Sequence, residues 1–118
     1  MTKNPKGKNL AILAYASAIL FYLPLLLFIG TFGVAVILNH NKGNQFASFH
    51  IRQMFGIGVI TIFLSIFTNR IDNFWVGFTV LSLMVLLALL GMISALRNQK
   101  DELPFIGAYF QKWFSFIK

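Results

Sequence analysis

Residues 10–38 read LAILAYASAILFYLPLLLFIGTFGVAVIL, 29 residues without a charged side chain and with Pro24 near the middle. As one straight helix at 1.5 Å per residue the run would be about 43 Å long. The hydrocarbon core of a bilayer is about 30 Å thick, so the run tilts strongly, kinks or turns back. Pro24 withholds a backbone donor and disfavours helical torsions at Leu23. The break is therefore expected at Tyr22-Leu23-Pro24, with helical arms over about 10–22 and 25–38. Each arm reaches only about 20 Å. Local thinning of the bilayer accommodates such a short hairpin if its turn is covered by protein or reaches the interface.

Two further apolar blocks follow, at about 46–67, which begins amphipathically, and 74–96, and their 22 and 23 residues are near the length of a membrane span. Residues 39–45 (NHNKGNQ) and 68–73 (TNRIDN) separate the blocks and have the Asn, Gly and charged content of turns at a wet interface. Composition agrees with this division. Hydrophobic residues make up 58% and charged residues 11%, with a mean hydropathy of +0.76, well outside soluble usage. The expected fold is an all-α integral membrane protein forming one domain over 1–118. It comprises a basic cytoplasmic segment (1–9), a transmembrane bundle (10–96) and a cytoplasmic or interfacial C-terminal segment (97–118). Lys3, Lys6 and Lys8 ahead of an apolar run resemble a secretory signal. A signal's apolar region is about 7–15 residues long, and this one continues to Leu38, so the segment is read as retained. There is no cysteine, which removes disulfide and thiol chemistry.

Charge distribution separates the two ways of folding residues 10–38. With one crossing, four basic residues face six across the membrane, and orientation is barely specified. With a hairpin at Pro24, every basic residue except Arg70 falls on one side, nine against one, and both termini are cytoplasmic. The hairpin is favoured; a single Pro-kinked helix is the alternative.

The start of the second block carries the polar cluster Phe46, Phe49, His50, Arg52, Gln53 and Met54. His50 and Gln53, three residues apart, share a helix face, whereas Arg52 lies on the other side. An interhelical hydrogen-bonded pair is the simplest role for His50 and Gln53; a titrating polar entrance is the functional one. Arg52, near the helix start, is expected to snorkel to anionic lipid phosphates. Ala11, Ala14 and Ala18 form one small-residue face, and Ala88, Gly91 and Ala95 another. They are read as helix contacts within the chain, with a homo-oligomer interface as the alternative. Beyond Leu96, Asp101 is expected to cap an amphipathic helix over about 103–117 with Pro104 in its first turn. Its polar stripe is Gln111, Lys112, Ser115 and Lys118, and Lys112 and Lys118 are the expected contacts to anionic headgroups, with docking onto the bundle as the alternative.

The string Phe46-Ala47-Ser48-Phe49-His50-Ile51-Arg52-Gln53, placed after a Pro-broken apolar block, resembles the F-x-x-F-H-x-x-Q segment of the small bacterial Tic-twenty-like membrane proteins of unknown function. Ala14-Tyr15, Leu23-Pro24-Leu25, Ala95 to Asn98 and Leu103-Pro104 extend the likeness over roughly residues 10–110. That family is distantly related to the channel-type subunit of the chloroplast inner-envelope protein translocon. The resemblance implies an all-helical, multi-pass protein of a bacterial inner (cytoplasmic) membrane, and a translocation or import role by remote analogy. It singles out His50 and Gln53 by position without assigning them a task.

No enzyme constellation is present. Asp72 is expected on the opposite side of the membrane from Asp101 and Glu102, so no two carboxylates meet across one substrate. His40 and His50 lack a carboxylate to complete a metal site, and no Gly-rich phosphate loop or other cofactor motif occurs. The net charge of +7 is scattered over membrane boundaries, which fits the lipid bilayer as partner and not nucleic acid. The spans contain hydroxyls but no Asp, Glu, Lys or Arg at mid-depth, which argues against a self-contained pump. Two functions are carried forward. One is a translocation-type or conducting component with His50 and Gln53 at its cytoplasmic mouth. The other is a non-conducting accessory or scaffold subunit that packs on other membrane subunits through its small-residue faces and C-terminal helix.

Overall fold

The computed structural model describes residues 7–22, 25–43, 45–103 and 106–117. Among these the chain is all-helical: α1 (Lys8–Ala16), α2 (Leu25–Asn39), α3 (Gln45–Thr68), α4 (Phe74–Leu96) and α5 (Gly107–Trp113). A 3-10 segment, Ser17–Tyr22, continues α1. The expected break at Pro24 and the anchoring residue Lys118 lie outside the described residues, as does Pro104.

α3 and α4, of 24 and 23 residues, are long and apolar enough to cross a membrane. They are joined by a turn in which the Asn73 side chain accepts from the Trp75 N–H at 3.0 Å and so caps α4. At the other end, α2 is stopped by Asn41 and Gly43, both with left-handed φ (55° and 71°), which redirects the chain into α3.

Hydrogen bonds between helix ends fix how the pieces lie. Lys8 Nζ donates to the Leu96 carbonyl at 3.1 Å, and Asn39 Nδ2 to Ser48 Oγ at 3.0 Å. The start of α1, the end of α2, the start of α3 and the end of α4 therefore meet at one end of a bundle 50 Å long. Along α3, Phe32 stacks near Phe55 and Phe28 lies over Gly58, so α2 runs antiparallel to α3. Along α4, Lys8 reaches Leu96 and Tyr15 lies over Gly91, so α1 runs antiparallel to α4. α1 and α2 also pack on each other. The two arms of residues 10–38 thus run in opposite directions.

α3 is the hub, contacting α1, α2, α4 and α5. Its Ala47, Ile51, Met54 and Ile57 are buried in one core with Ala11 and Ala14 of α1, Ala18 of the 3-10 segment and Ala88 and Ala95 of α4. Both small-residue faces are therefore buried inside the chain. The outer surface is apolar instead: Ile37, Phe63, Trp75, Leu83, Leu86 and Leu90 are all at least half exposed.

The C-terminal helix departs from expectation. It spans seven residues, Gly107–Trp113, not 103–117, and is preceded by Ile106 with no side-chain cap. The Asp101 N–H and carbonyl are instead bonded to Ser94 Oγ and Gln53 Nε2. α5 is also docked on α3, with the Phe110 ring seated on Gly56 and Phe114 edge-on to Phe55 at 4.8 Å. Burying these rings on the bundle removes more apolar surface than leaving the whole helix on its own.

Candidate functional site

The cluster that sequence reading centred on His50 and Gln53 begins at the end of α4. Asn98 adopts a left-handed conformation (φ 60°) just past the helix. The Asn98 N–H then bonds to the Ala95 carbonyl and the Gln99 N–H to the Ser94 carbonyl, at 3.1 and 3.0 Å. This is the Schellman termination, and it turns the Gln99 carbonyl towards α3. Ser94 Oγ donates to that carbonyl at 3.1 Å and accepts from the Asp101 N–H at 2.9 Å, holding residues 99–101 in a tight loop.

His50 and Gln53, one turn apart on α3, meet this loop on one side and Tyr15 of α1 on the other. His50 Nε2 lies 2.8 Å from the Gln99 carbonyl, which can only accept, so Nε2 carries the proton. Nδ1 is then the acceptor for the Tyr15 hydroxyl at 2.6 Å. The Tyr15 oxygen in turn accepts from Gln53 Nε2 at 3.0 Å. The same Nε2 donates to the Asp101 carbonyl at 3.3 Å, and Gln53 Oε1 accepts from the Leu103 N–H at 2.7 Å. Every direction in the network follows from the two fixed carbonyls. The polar side chains are enclosed: His50 and Gln53 are fully buried and Tyr15 is 1% exposed. Phe46 and Phe49 present edges to the imidazole at 4.7 and 5.0 Å.

Arg52 makes a second tie on the neighbouring face of α3. Its Nε donates to the Ile117 carbonyl at 2.9 Å and Nη1 to Gln111 Oε1 at 3.4 Å, while Gln111 Nε2 donates to the Phe49 carbonyl at 2.8 Å. The expected free snorkelling of Arg52 is thus replaced in part by docking of the C-terminal segment, and Gln111 joins that docking, not an exposed stripe. Lys112 is exposed. Ala14, Ala18 and Ala95 are buried, and Gly91 of α4 seats the Tyr15 ring of α1.

The chemistry open to this cluster is narrow. A proton wire needs members that both accept and donate, but the chain ends at the Gln99 carbonyl and passes through an amide. The hydroxyls of Ser17, Thr61 and Ser65 donate to carbonyls of their own helical segments, Ala14, Ile57 and Thr61, and so add no polar lining. Among the described residues no three His, Asp or Glu side chains converge as for a metal ion. What the two ties do is hold neighbouring chain, residues 99–103 by their backbone and the C-terminal segment through the Ile117 carbonyl and the Gln111 side chain.

No family model, curated protein or solved structure matches this chain. The site therefore stands on its own geometry. Tyr15 was the partner sequence reading missed, although it sits on the Ala11/Ala14/Ala18 face, where a buried phenol needs a hydrogen bond. Gln99, Asp101 and Leu103 take part through backbone atoms, which leave no signature in side-chain identity.

Proposed function

We propose that this chain is a small multi-pass protein of a bacterial cytoplasmic membrane, acting as a non-conducting accessory subunit of a membrane complex. The supporting observation is the closed His50–Tyr15–Gln53 network, whose polar capacity is used on the chain's own backbone and not on a passage. In this reading α3 and α4 span the bilayer, and α1 and α2 dip in from the cytoplasmic face and return to it. The nine-to-one division of basic residues sets that orientation. The exposed apolar surface of α2, α3 and α4 faces lipid or a partner subunit. Tyr109, Trp113 and Lys112, outward on α5, sit at the headgroup level. With both small-residue faces internal, partner contact falls to the outer faces of the spans and to α5. The alternative, a translocation- or import-type conducting component, rests on the likeness of residues 46–53 to the Tic-twenty-like proteins.

Ion flux through liposomes containing the purified chain separates the two. The expected result is flux no greater than in empty liposomes, for wild type and His50→Ala alike. Flux that His50→Ala alters would overturn the non-conducting reading, and cross-linking in native membrane should then recover the partner subunit only if the accessory reading holds. Orientation has its own measurement, since the chain has no native cysteine. Thr2→Cys and Ser115→Cys should react with an impermeant maleimide from one side and Asn69→Cys from the other. Reaction of the first two from opposite sides would exclude the hairpin.

A further inference from the structure

One stripe of α3 borders two recesses, the first beside the α2–α3 turn and the segment after α4, the second between α2 and α3. At the turn end, a recess of about 610 Å³ is lined by Arg52, Lys100, Ser48, Asn41 and Gln45. Further along, an apolar groove of about 340 Å³ is lined by Phe28, Phe32, Gly33, Phe55, Gly58 and Ile62. On α3, Ser48, Arg52, Phe55, Val59 and Ile62 follow one another at spacings of three and four, so recess and groove share a single stripe of that helix. From Arg52 to Ile62 the stripe extends about 15 Å at 1.5 Å per residue.

The recess is cationic. Two of the five guanidinium N–H donors of Arg52 are engaged, by Ile117 and Gln111, and Lys100 brings a second positive charge from a separate segment. The carboxylates of this end, Asp101 and Glu102, line a different recess beside Arg97 and Ser94. In the groove the two helices leave space, and a Cβ built on Gly33 meets nothing within 4 Å. Positive charge at the interface followed by an apolar trough leading into the hydrocarbon matches a molecule with a phosphate and an acyl chain.

We propose that the chain binds one anionic phospholipid along this stripe of α3, with its phosphate between Arg52 and Lys100 and an acyl chain in the α2–α3 groove beside Gly33. The proposal rests on the membrane reading above and adds a discrete site to it. Arg52 then has two tasks on one side chain, since it holds the C-terminal segment through Nε and the lipid through its remaining donors.

The test is native mass spectrometry of the full chain in detergent, titrated with phosphatidylglycerol, phosphatidylcholine or free glycerol phosphate. One phosphatidylglycerol should be retained in preference to phosphatidylcholine, and glycerol phosphate should not displace it. Lys100→Gln should weaken retention about fivefold, the effect of one basic residue at a membrane surface. Gly33→Leu, which fills the trough from a position with open space, should weaken it comparably. Both variants avoid the Arg52 tie, and their denaturation midpoints should match wild type. Equal retention of the two lipids, or retention indifferent to both substitutions, would overturn the site. Displacement by glycerol phosphate with no effect of Gly33→Leu would also overturn it, in favour of a soluble phosphate ligand. A chain that stays monodisperse without detergent would remove the membrane reading itself, and the lipid site with it.

Discussion

Replacing Gln53 with leucine should lower the unfolding free energy by about 2–4 kcal/mol. The side chain is fully buried and makes three hydrogen bonds, to the Tyr15 hydroxyl, the Asp101 carbonyl and the Leu103 N–H. Hydrogen bonds between membrane helices average about 0.6 kcal/mol each. The larger loss comes from the Leu103 N–H, which leucine leaves buried without an acceptor at a cost of about 1–3 kcal/mol. His50→Leu should cost less, because the Gln99 carbonyl keeps its bond from Ser94 Oγ. The measurement is reversible unfolding in mixed micelles, combined with proteolysis of the segment after α4. Gln53→Leu should expose cleavage near residues 99–103 before global unfolding. A change below about 0.5 kcal/mol, within the range of an ordinary surface substitution, would remove Gln53 from its role as clamp.

Gly91→Ala has the second large effect, and its sign depends on Tyr15. On an exposed helix the change would stabilise by up to about 1 kcal/mol through helix propensity. Here a Cβ on Gly91 would collide with Tyr15 Cε1 and stand only 2.5 Å from Cζ and 2.8 Å from the hydroxyl oxygen. The ring is 1% exposed and tethered at its hydroxyl by His50 and Gln53, so it cannot move without losing both partners. Overpacking of this kind typically costs about 1–3 kcal/mol, to which the broken hydrogen bonds add. In a Tyr15→Leu background the same Gly91→Ala should be neutral or stabilising. A double-mutant cycle measures this directly, and additive effects of the two substitutions would show that Gly91 does not seat the phenol.

The long helices were legible because a long apolar helix is recognised by what it lacks. α3 and α4 end within a residue of the expected limits, where Asn39 to Gln45 and Thr68 to Asn73 supply turn residues. The doubling back of residues 10–38 is the folding that the positive-inside argument favoured. The C-terminal helix was left between lipid and bundle for the opposite reason. Its pattern of aromatics and lysines is the same whether the rings face lipid or the Gly56 surface of α3, and only the tertiary contact between Phe110 and Gly56 decides. The break in α1 was also hidden: nothing in Ser17 to Tyr22 distinguishes a 3-10 winding from a continued α-helix. At the site, His50 and Gln53 declared themselves by spacing, as polar groups on an otherwise apolar helix. Their partners did not, because three of them are peptide groups that any residue would supply.

That last point bears on how this protein can change over generations. Gln53 offers one carbonyl and one N–H to the peptide groups that flank Glu102, much as a neighbouring strand would, and it touches no side chain of residues 101–103 through those bonds. Asp101 and Glu102 are themselves exposed. The exposed positions of the loop are thus open to drift in charge and size while its anchorage stays constant, so one scaffold can display different surfaces at this end of the bundle.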